Sequence, residues 1–184
     1  VLIKKMILAA HLNILEQFNL AAKPVKTRVW GEGHIHETFL VETTDHQPDY
    51  ILQKINKNIF KDIPGMMSNI EAVTSHIQNG LNLVYTHPGI SFYEDENGDF
   101  WRMFLFIPNA VSLQLMTEPS LAYEAGKAIG SFQSLLAGLT EPLIETIPDF
   151  HDINLRINQY FEAKNSDPAH RLTDISSEIQ FAEH

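Results

Sequence analysis

The sequence contains no cysteine among its 184 residues. This absence excludes disulfide bonds, thiolate metal sites and cysteine nucleophiles from any function of the chain. Long apolar runs are missing as well, since no stretch reaches the roughly 18 to 20 residues that a membrane-spanning helix needs. We therefore expect no association with a membrane. The lack of cysteine is compatible with the cytoplasm, which is the location that we predict.

Positive charge is scarce. The chain has 13 lysines and arginines against 23 acidic residues, which gives a formal net charge of −10. The cations are scattered, with only Lys4 and Lys5 adjacent. We expect no nucleic acid and no anionic membrane as a partner, because both would be repelled. The histidines lack the i, i+4 spacing of a helical metal pair, and we predict no metal ligands in this chain.

Apolar content of 44% and charged content of 20% are ordinary for a folded protein. The spacing of the apolar residues predicts a first helix from Ile3 to Phe18. A second helix is predicted through Met67 and Ile77, with Gly80 as its stop. Three strands are predicted between these helices, at Val25–Trp30, Thr38–Thr43 and Tyr50–Ile55.

A second group of strands is predicted after the second helix. The segments "ISFYED" and "FWRMFLFI" are joined by Asn97-Gly98, a strong hairpin signal because both residues tolerate positive φ. After Pro108 the pattern predicts helices only, at about Pro119–Gly138, Asp152–Lys164 and Thr173–Glu183. A strand-rich half followed by a helical half predicts an α+β fold with two units, residues 1–108 and 109–184. We expect the five strands to form one sheet.

Two close glycines, in Gly31-Glu32-Gly33, connect the first two predicted strands. Most such pairs are ordinary turns. Glycine nevertheless lets backbone amides approach phosphate oxygens without a Cβ in the way. A strand, a glycine loop and a second strand form the hairpin that covers ATP in protein-kinase-like enzymes, so the context favours a phosphate loop.

The elements after this loop follow the same order as in those enzymes. Their third strand faces the phosphates, and the next helix supplies a carboxylate. Here the third strand offers Gln53 and Lys54, which point to opposite faces because side chains alternate along a strand. The next helix offers Glu71. The segment "RMFLFIP" then enters the position of a hinge that would bind adenine through backbone groups.

Five segments carry a family resemblance: "GEGHIHETFLVET", "YILQKINKNIFKDIPGMMSNIEAVTSHI", "WRMFLFIPNAVS", "EAGKAIGSFQSLL" and "IPDFHDINLR". Together they resemble the N-terminal part of bacterial N-acetylhexosamine 1-kinases, which belong to the aminoglycoside phosphotransferase and choline kinase superfamily. The resemblance runs from about Trp30 to the end of the chain. It implies a protein-kinase-like N-terminal lobe with a five-stranded antiparallel sheet, followed by the first helices of a helical C-terminal lobe.

The resemblance also implies a reaction and a set of site residues. The γ-phosphate of ATP would be transferred, with Mg²⁺, to the anomeric hydroxyl of an N-acetylhexosamine (GlcNAc or GalNAc), and His34 would lie near the acceptor sugar. The catalytic aspartate and the metal motif are expected after His184, so this chain alone is expected to be inactive. The implied nucleotide-binding residues are Gly31, Glu32, Gly33, Gln53, Glu71, Phe104, Phe106 and Ile107.

Two positions depart from the pattern. His36 stands where the protein-kinase loop has its third glycine, and Gln53 stands where the strand usually has a lysine. A neutral amide donates a hydrogen bond to phosphate without the attraction of a charge. The lysine–glutamate pair expected of Glu71 is therefore in doubt. His151-Asp152 does not match the catalytic loop, which needs one residue between the histidine and the aspartate.

Two alternatives stay open from the sequence. In one, the acceptor is another small hydroxyl compound, such as choline, an aminoglycoside or a different sugar. In the other, the chain is a non-catalytic nucleotide-binding or interaction module. Hydrolase chemistry finds no support, because no serine, histidine and aspartate occur in the order of a nucleophile elbow and its partners.

Overall fold

The computed structural model describes residues 11–31, 33–44, 48–77, 80–111, 113 and 115–183. The chain divides into two compact units, Val1–Thr146 and Ile147–His184. The strands are β1 Pro24–Val29, β2 Glu37–Thr43, β3 Tyr50–Ile55, β4 Leu83–Val84, β5 Phe92–Glu94 and β6 Phe100–Leu105. The helices are α1 Ile63–His76, α2 Pro119–Leu136, α3 Ile153–Ser166 and α4 Ser176–Ala182. The predicted division into residues 1–108 and 109–184 stays a prediction.

The strands form a single antiparallel sheet in the order β1-β2-β3-β6-β4, with β5 paired to β6. The sheet has six strands, whereas the sequence predicted five. The additional strand is β4, which covers only two residues. Two residues are too few to show the alternation by which a strand is recognised in a sequence. The predicted joining of the two strand groups into one sheet is confirmed.

Each face of the sheet has its own apolar cluster, because successive side chains on a strand point to opposite sides. On one face Phe39, Leu52 and Met103 pack against Leu15 and Phe18. On the other, Ile55 packs with residues of α1 and the turn before it. Of the predicted first helix, residues 3–10 lie outside the described residues, and residues 11–15 are helical. The helix ends before Phe18, which forms an isolated bridge with Thr86.

Helix α1 begins earlier than the apolar spacing predicted. The Asp62 carboxylate accepts a hydrogen bond of 2.9 Å from the Gly65 amide, which satisfies one of the open donors of the first turn. Pro64 also lies in this turn, where its missing N–H removes no helical hydrogen bond. The cap thus starts the helix at Ile63, and residues 56–62 connect it to the end of β3.

The helices after the sheet consist of exposed and half-buried residues. None of the residues of α2, α3 or α4 is buried. Asp152, from the "FHDINLR" segment, caps α3 by accepting hydrogen bonds from the amides of Asn154 and Leu155 at 2.8 and 3.1 Å. In the described part of the chain no helix combines the length and the apolar character needed to cross a membrane.

Candidate functional site

A cavity of about 450 Å³ lies beside the segment that follows β6. We call it the hinge cavity. Its walls are mainly apolar, as is usual for a site that holds a planar ring system. Four predicted nucleotide residues line it, namely Gln53, Phe104, Phe106 and Ile107. The remaining lining residues are Trp30, Ile51, Ile70, Leu81, Arg102 and Leu105.

The register between two strands brings the polar side chains of this cavity together. In the antiparallel pair of β3 and β6, Gln53 lies opposite Arg102 and Ile51 lies opposite Phe104. Positions two apart on a strand share a face, so these residues form one patch on the wall of the hinge cavity. Gln53 and Phe104 are predicted site residues, whereas Arg102 was not predicted.

Arg102 is the polar centre of this patch. Its side chain is buried, and its Nε donates a hydrogen bond of 3.0 Å to Gln53 Oε1. The Gln53 amide in turn donates to Thr38 Oγ1 at 3.1 Å. The guanidinium carbon lies 5.3 Å from the centre of the Phe104 ring. Burial lowers the pKa of Arg102 to about 10, so the group still carries its charge at neutral pH.

One signal in the sequence could have revealed Arg102. It is a charged residue inside the otherwise apolar run "FWRMFLFI", at a position that alternation places on the same face as Phe104. A charge in the middle of a buried strand is rare unless it has a partner or a function. The apolar residues alone predict a buried strand and give no indication of a site at Arg102.

The glycine loop lines a second cavity, of about 570 Å³, which we call the loop cavity. Gly31, Gly33 and His34 border it, and Glu32 lies outside the described residues. Gly31 has φ +78°, which favours glycine. Among the described residues other than its chain neighbours, no atom lies within 4 Å of the place where a Cβ would be. Trp30 lines both cavities, and its ring meets that of Phe106 edge-on, with centroids 5.5 Å apart. The loop therefore adjoins the hinge cavity.

Lys54 belongs to the loop cavity rather than to the hinge cavity. Its Nζ lies 2.6 Å from an oxygen of Asp99, which also binds Lys57 at 3.0 Å. The hydrogen bond with Asp99 raises the pKa of Lys54 and lowers the pKa of Asp99. The charge of this lysine is thus neutralised by a carboxylate on the side of β3 opposite to Gln53.

Glu71 lies half-buried on α1, one position after Ile70, which lines the hinge cavity. Among the ion pairs of the described residues, none involves Glu71. The lysine–glutamate pair of protein kinases is therefore not formed between Lys54 and Glu71. The nucleotide role predicted for Glu71 stays a prediction.

His36, which replaces the third glycine, anchors the end of the loop. Its Nδ1 accepts a hydrogen bond of 3.2 Å from the Asn56 amide, and its ring stacks on Phe60 at a centroid distance of 5.3 Å. An accepting Nδ1 requires the neutral ring. Burial, and secondly the charge of Arg102, lower the pKa of His36. The residue thus ties the loop to the turn that precedes α1.

The described residues do not by themselves form a magnesium site. They contain no group of three histidine, aspartate or glutamate side chains that could hold a metal ion. Asp99 lines the loop cavity, but its carboxylate already forms ion pairs with Lys54 and Lys57. The donor set that Mg²⁺ prefers, several carboxylate and water oxygens, is therefore not assembled here.

A scan against models of known protein families gives no match. Among solved structures, the chain is similar to a spectinomycin phosphotransferase in complex with ADP and spectinomycin. The TM-score is 0.53 at 14% sequence identity, and the match covers 95% of this chain and 58% of that chain. This likeness shows the fold. The predicted α+β class, with a protein-kinase-like N-terminal lobe built on an antiparallel sheet, is confirmed.

Proposed function

We propose that the chain is the nucleotide-binding part of an ATP-dependent phosphotransferase. The hinge cavity carries this proposal, because it combines apolar walls suited to a purine with a buried cation suited to phosphate oxygens. The fold supports it as well, since the similar spectinomycin phosphotransferase was solved with ADP.

The backbone beside the hinge cavity has a free donor where adenine would bind. The amide of Phe106 donates to the Asp49 carbonyl at 2.9 Å. The amide of the next residue, Ile107, makes no hydrogen bond with any residue that the structure describes. Such an amide can donate a hydrogen bond to a ring nitrogen of a purine bound in the hinge cavity. This bond replaces the one to water that the amide loses when the ligand covers it.

The glycine loop would then cover the phosphates. Its backbone is accessible at Gly31 and Gly33, where an added Cβ would meet no atom of the described residues within 4 Å, chain neighbours aside. In the transfer, the bond between the γ-phosphorus and the bridging oxygen breaks and a bond to the acceptor oxygen forms. The hydroxyl proton passes to a general base that we assign to none of the described residues. Mg²⁺, when bound, neutralises phosphate charge.

For the acceptor we propose an N-acetylhexosamine, phosphorylated at its anomeric hydroxyl. This choice rests on the sequence segments that resemble N-acetylhexosamine 1-kinases. The loop cavity is compatible with it, because His34, Asn56 and Asn58 line a space of about 570 Å³ and carry hydrogen-bonding groups that suit an uncharged sugar.

A second acceptor class is an aminocyclitol or aminoglycoside. The structural neighbour, which was solved with spectinomycin, favours it. The net charge of −10 favours it too, because an acidic protein attracts a cationic acceptor. A hydroxyl group would again be the phosphoryl acceptor.

The test is an acceptor screen with the protein that carries this sequence together with any residues following it in its reading frame. With ATP and Mg²⁺ we expect release of ADP and formation of a sugar 1-phosphate from GlcNAc or GalNAc, identified by mass spectrometry. Turnover with spectinomycin and not with the sugars would replace the sugar by the second acceptor class. Turnover with choline and not with the others would assign the acceptor to the amino alcohols. If no acceptor leads to release of ADP, and the protein also fails to bind nucleotide, the phosphotransferase proposal is refuted.

A further inference from the structure

Arg102 differs from the other cations on the sheet. Each of the other strand cations has a carboxylate partner, since Lys26 and Arg28 bind Glu42 and Lys54 binds Asp99. Arg102 is only 9% exposed, yet no described carboxylate lies within ion-pair distance of it. A buried charge without a counter-charge is unfavourable, which indicates that an anion joins it at some stage of function.

The guanidinium group also keeps most of its donors open. Only Nε has a hydrogen-bond partner among the described residues, the neutral amide oxygen of Gln53. Among the described residues, Ser91 Oγ is the side-chain polar atom that is fully buried and has no hydrogen-bond partner. The terminal nitrogens of Arg102 also lack a partner, so they are not fully buried. Arg102 lines the hinge cavity, and we infer that a ligand reaches these nitrogens from there. Their planar fork matches two oxygens of a phosphate group.

We propose that Arg102 is the phosphate-binding cation of this nucleotide site, with Gln53 positioning its guanidinium group. This inference rests on the proposed function and deepens it. In protein kinases a lysine on the third strand performs that task. Here the third strand has the neutral Gln53 in place of that lysine, and the charge comes from the directly paired residue on β6. Thr38 holds the other end of Gln53 and so connects the arrangement to β2, next to the glycine loop.

A purely structural role for Arg102 makes a different prediction. If Gln53 and the Phe104 ring are sufficient to stabilise the buried guanidinium group, no bound anion is needed. Removing the charge then changes the stability of the protein but not its preference for ligands with phosphate groups. The discriminating quantity is the ratio of the affinity for ATP or ADP to the affinity for adenosine. Adenosine shares the base and ribose with the nucleotides and lacks the phosphates.

The experiment titrates adenosine, ADP and ATP into the wild-type chain and into Arg102→Met, by calorimetry at low salt. We expect Arg102→Met to weaken ADP and ATP about 10- to 100-fold, in keeping with the loss of charge-assisted hydrogen bonds. Adenosine affinity should change less than about twofold. Lys23→Met is the control, because it removes one positive charge at an exposed site and leaves the hinge cavity intact.

A second variant covers the case in which Arg102→Met fails to fold. Gln53→Glu places a carboxylate 3.0 Å from Arg102 Nε, at the position of the present amide oxygen. We expect this variant to be at least as stable as the wild type and to lose ADP and ATP affinity selectively. Unchanged nucleotide-to-adenosine ratios in the folded variants would overturn the role of Arg102. Failure of the wild type to bind any of the three ligands would overturn the proposed function itself.

Discussion

At the scale of single residues, His36 predicts a pH dependence of stability. Its folded pKa lies below the ordinary value of 6.5, because burial and secondly Arg102 disfavour the charged ring. The unfolded chain therefore binds a proton at this residue more readily than the folded chain does. The contribution of His36 to the free energy of unfolding is fully present above about pH 6.5 and is lost as the pH decreases toward the folded pKa. We expect the urea midpoint of the wild type to drop between pH 7.5 and 5.5.

The variant His36→Asn should reduce that drop, since its side chain keeps an acceptor for the Asn56 amide and does not titrate. His34→Asn is the matched control, because His34 is exposed and lies two positions away on the same loop. An equal fall of the midpoint in the wild type and in His36→Asn would show that His36 is not the origin of the pH dependence.

Single residues also show where sequence reasoning succeeds and where it stops. Alternation along β3 places Gln53 and Lys54 on opposite faces, and this follows from the backbone alone. The proposed role of Arg102 does not follow in that way. It depends on the register that pairs Arg102 with Gln53, which is set by contacts between segments 49 positions apart in the sequence.

At the scale of elements, the cap of α1 determines how the helix beside the hinge cavity begins. Asp62→Ala removes the acceptor of the Gly65 amide, so we expect a loss of about 1 kcal/mol in the free energy of unfolding. Chemical denaturation measures this loss. Asp62→Asn keeps a side-chain acceptor and should retain most of the stability, whereas equal losses in both variants would mean that the carboxylate charge, not the cap, is responsible.

Elements with strong local signals were predicted closely, and those without were not. β3 was predicted with its observed bounds, Tyr50–Ile55, and the polar, turn-rich segment at residues 45–49 marks where it begins. The start of α1 was not predicted, because the apolar spacing begins only at Met67 and the first turn depends on the Asp62 cap. β4 exists only because it pairs with β6, and that contact leaves no local pattern in the sequence.

At the scale of the whole molecule, burial is concentrated in one part of the chain. All buried residues of the described ranges lie between His11 and Phe104, in the sheet and the segments packed on it. The later helices show apolar stripes in the sequence, yet large side chains such as Phe132, Phe161 and Phe181 remain exposed. An apolar stripe predicts that a helix has a covered face, but the residues that cover it are not specified by the helix itself.

This difference in burial predicts a gradient of amide hydrogen exchange. Amides of β3 and β6 pair in the interior of the sheet, and we expect them to exchange only on global unfolding. Helix α3 has 14 residues, none of them buried. Its contacts with Glu183, through Tyr160 and Lys164, are exposed and contribute little.

A helix of this length without a buried face is marginal in water. We therefore expect the amides of α3 to exchange at least about 100-fold faster than those of β3, a difference of roughly 3 kcal/mol in the free energy of opening. Exchange followed by mass spectrometry on peptides covering the two elements measures the ratio. The peptide covering residues 176–182 is an internal comparison, because α4 is equally exposed and should exchange as fast as α3. Exchange in α3 as slow as in β3 would contradict the prediction. It would show that, in solution, another surface covers this helix and protects its amides as fully as those of the sheet.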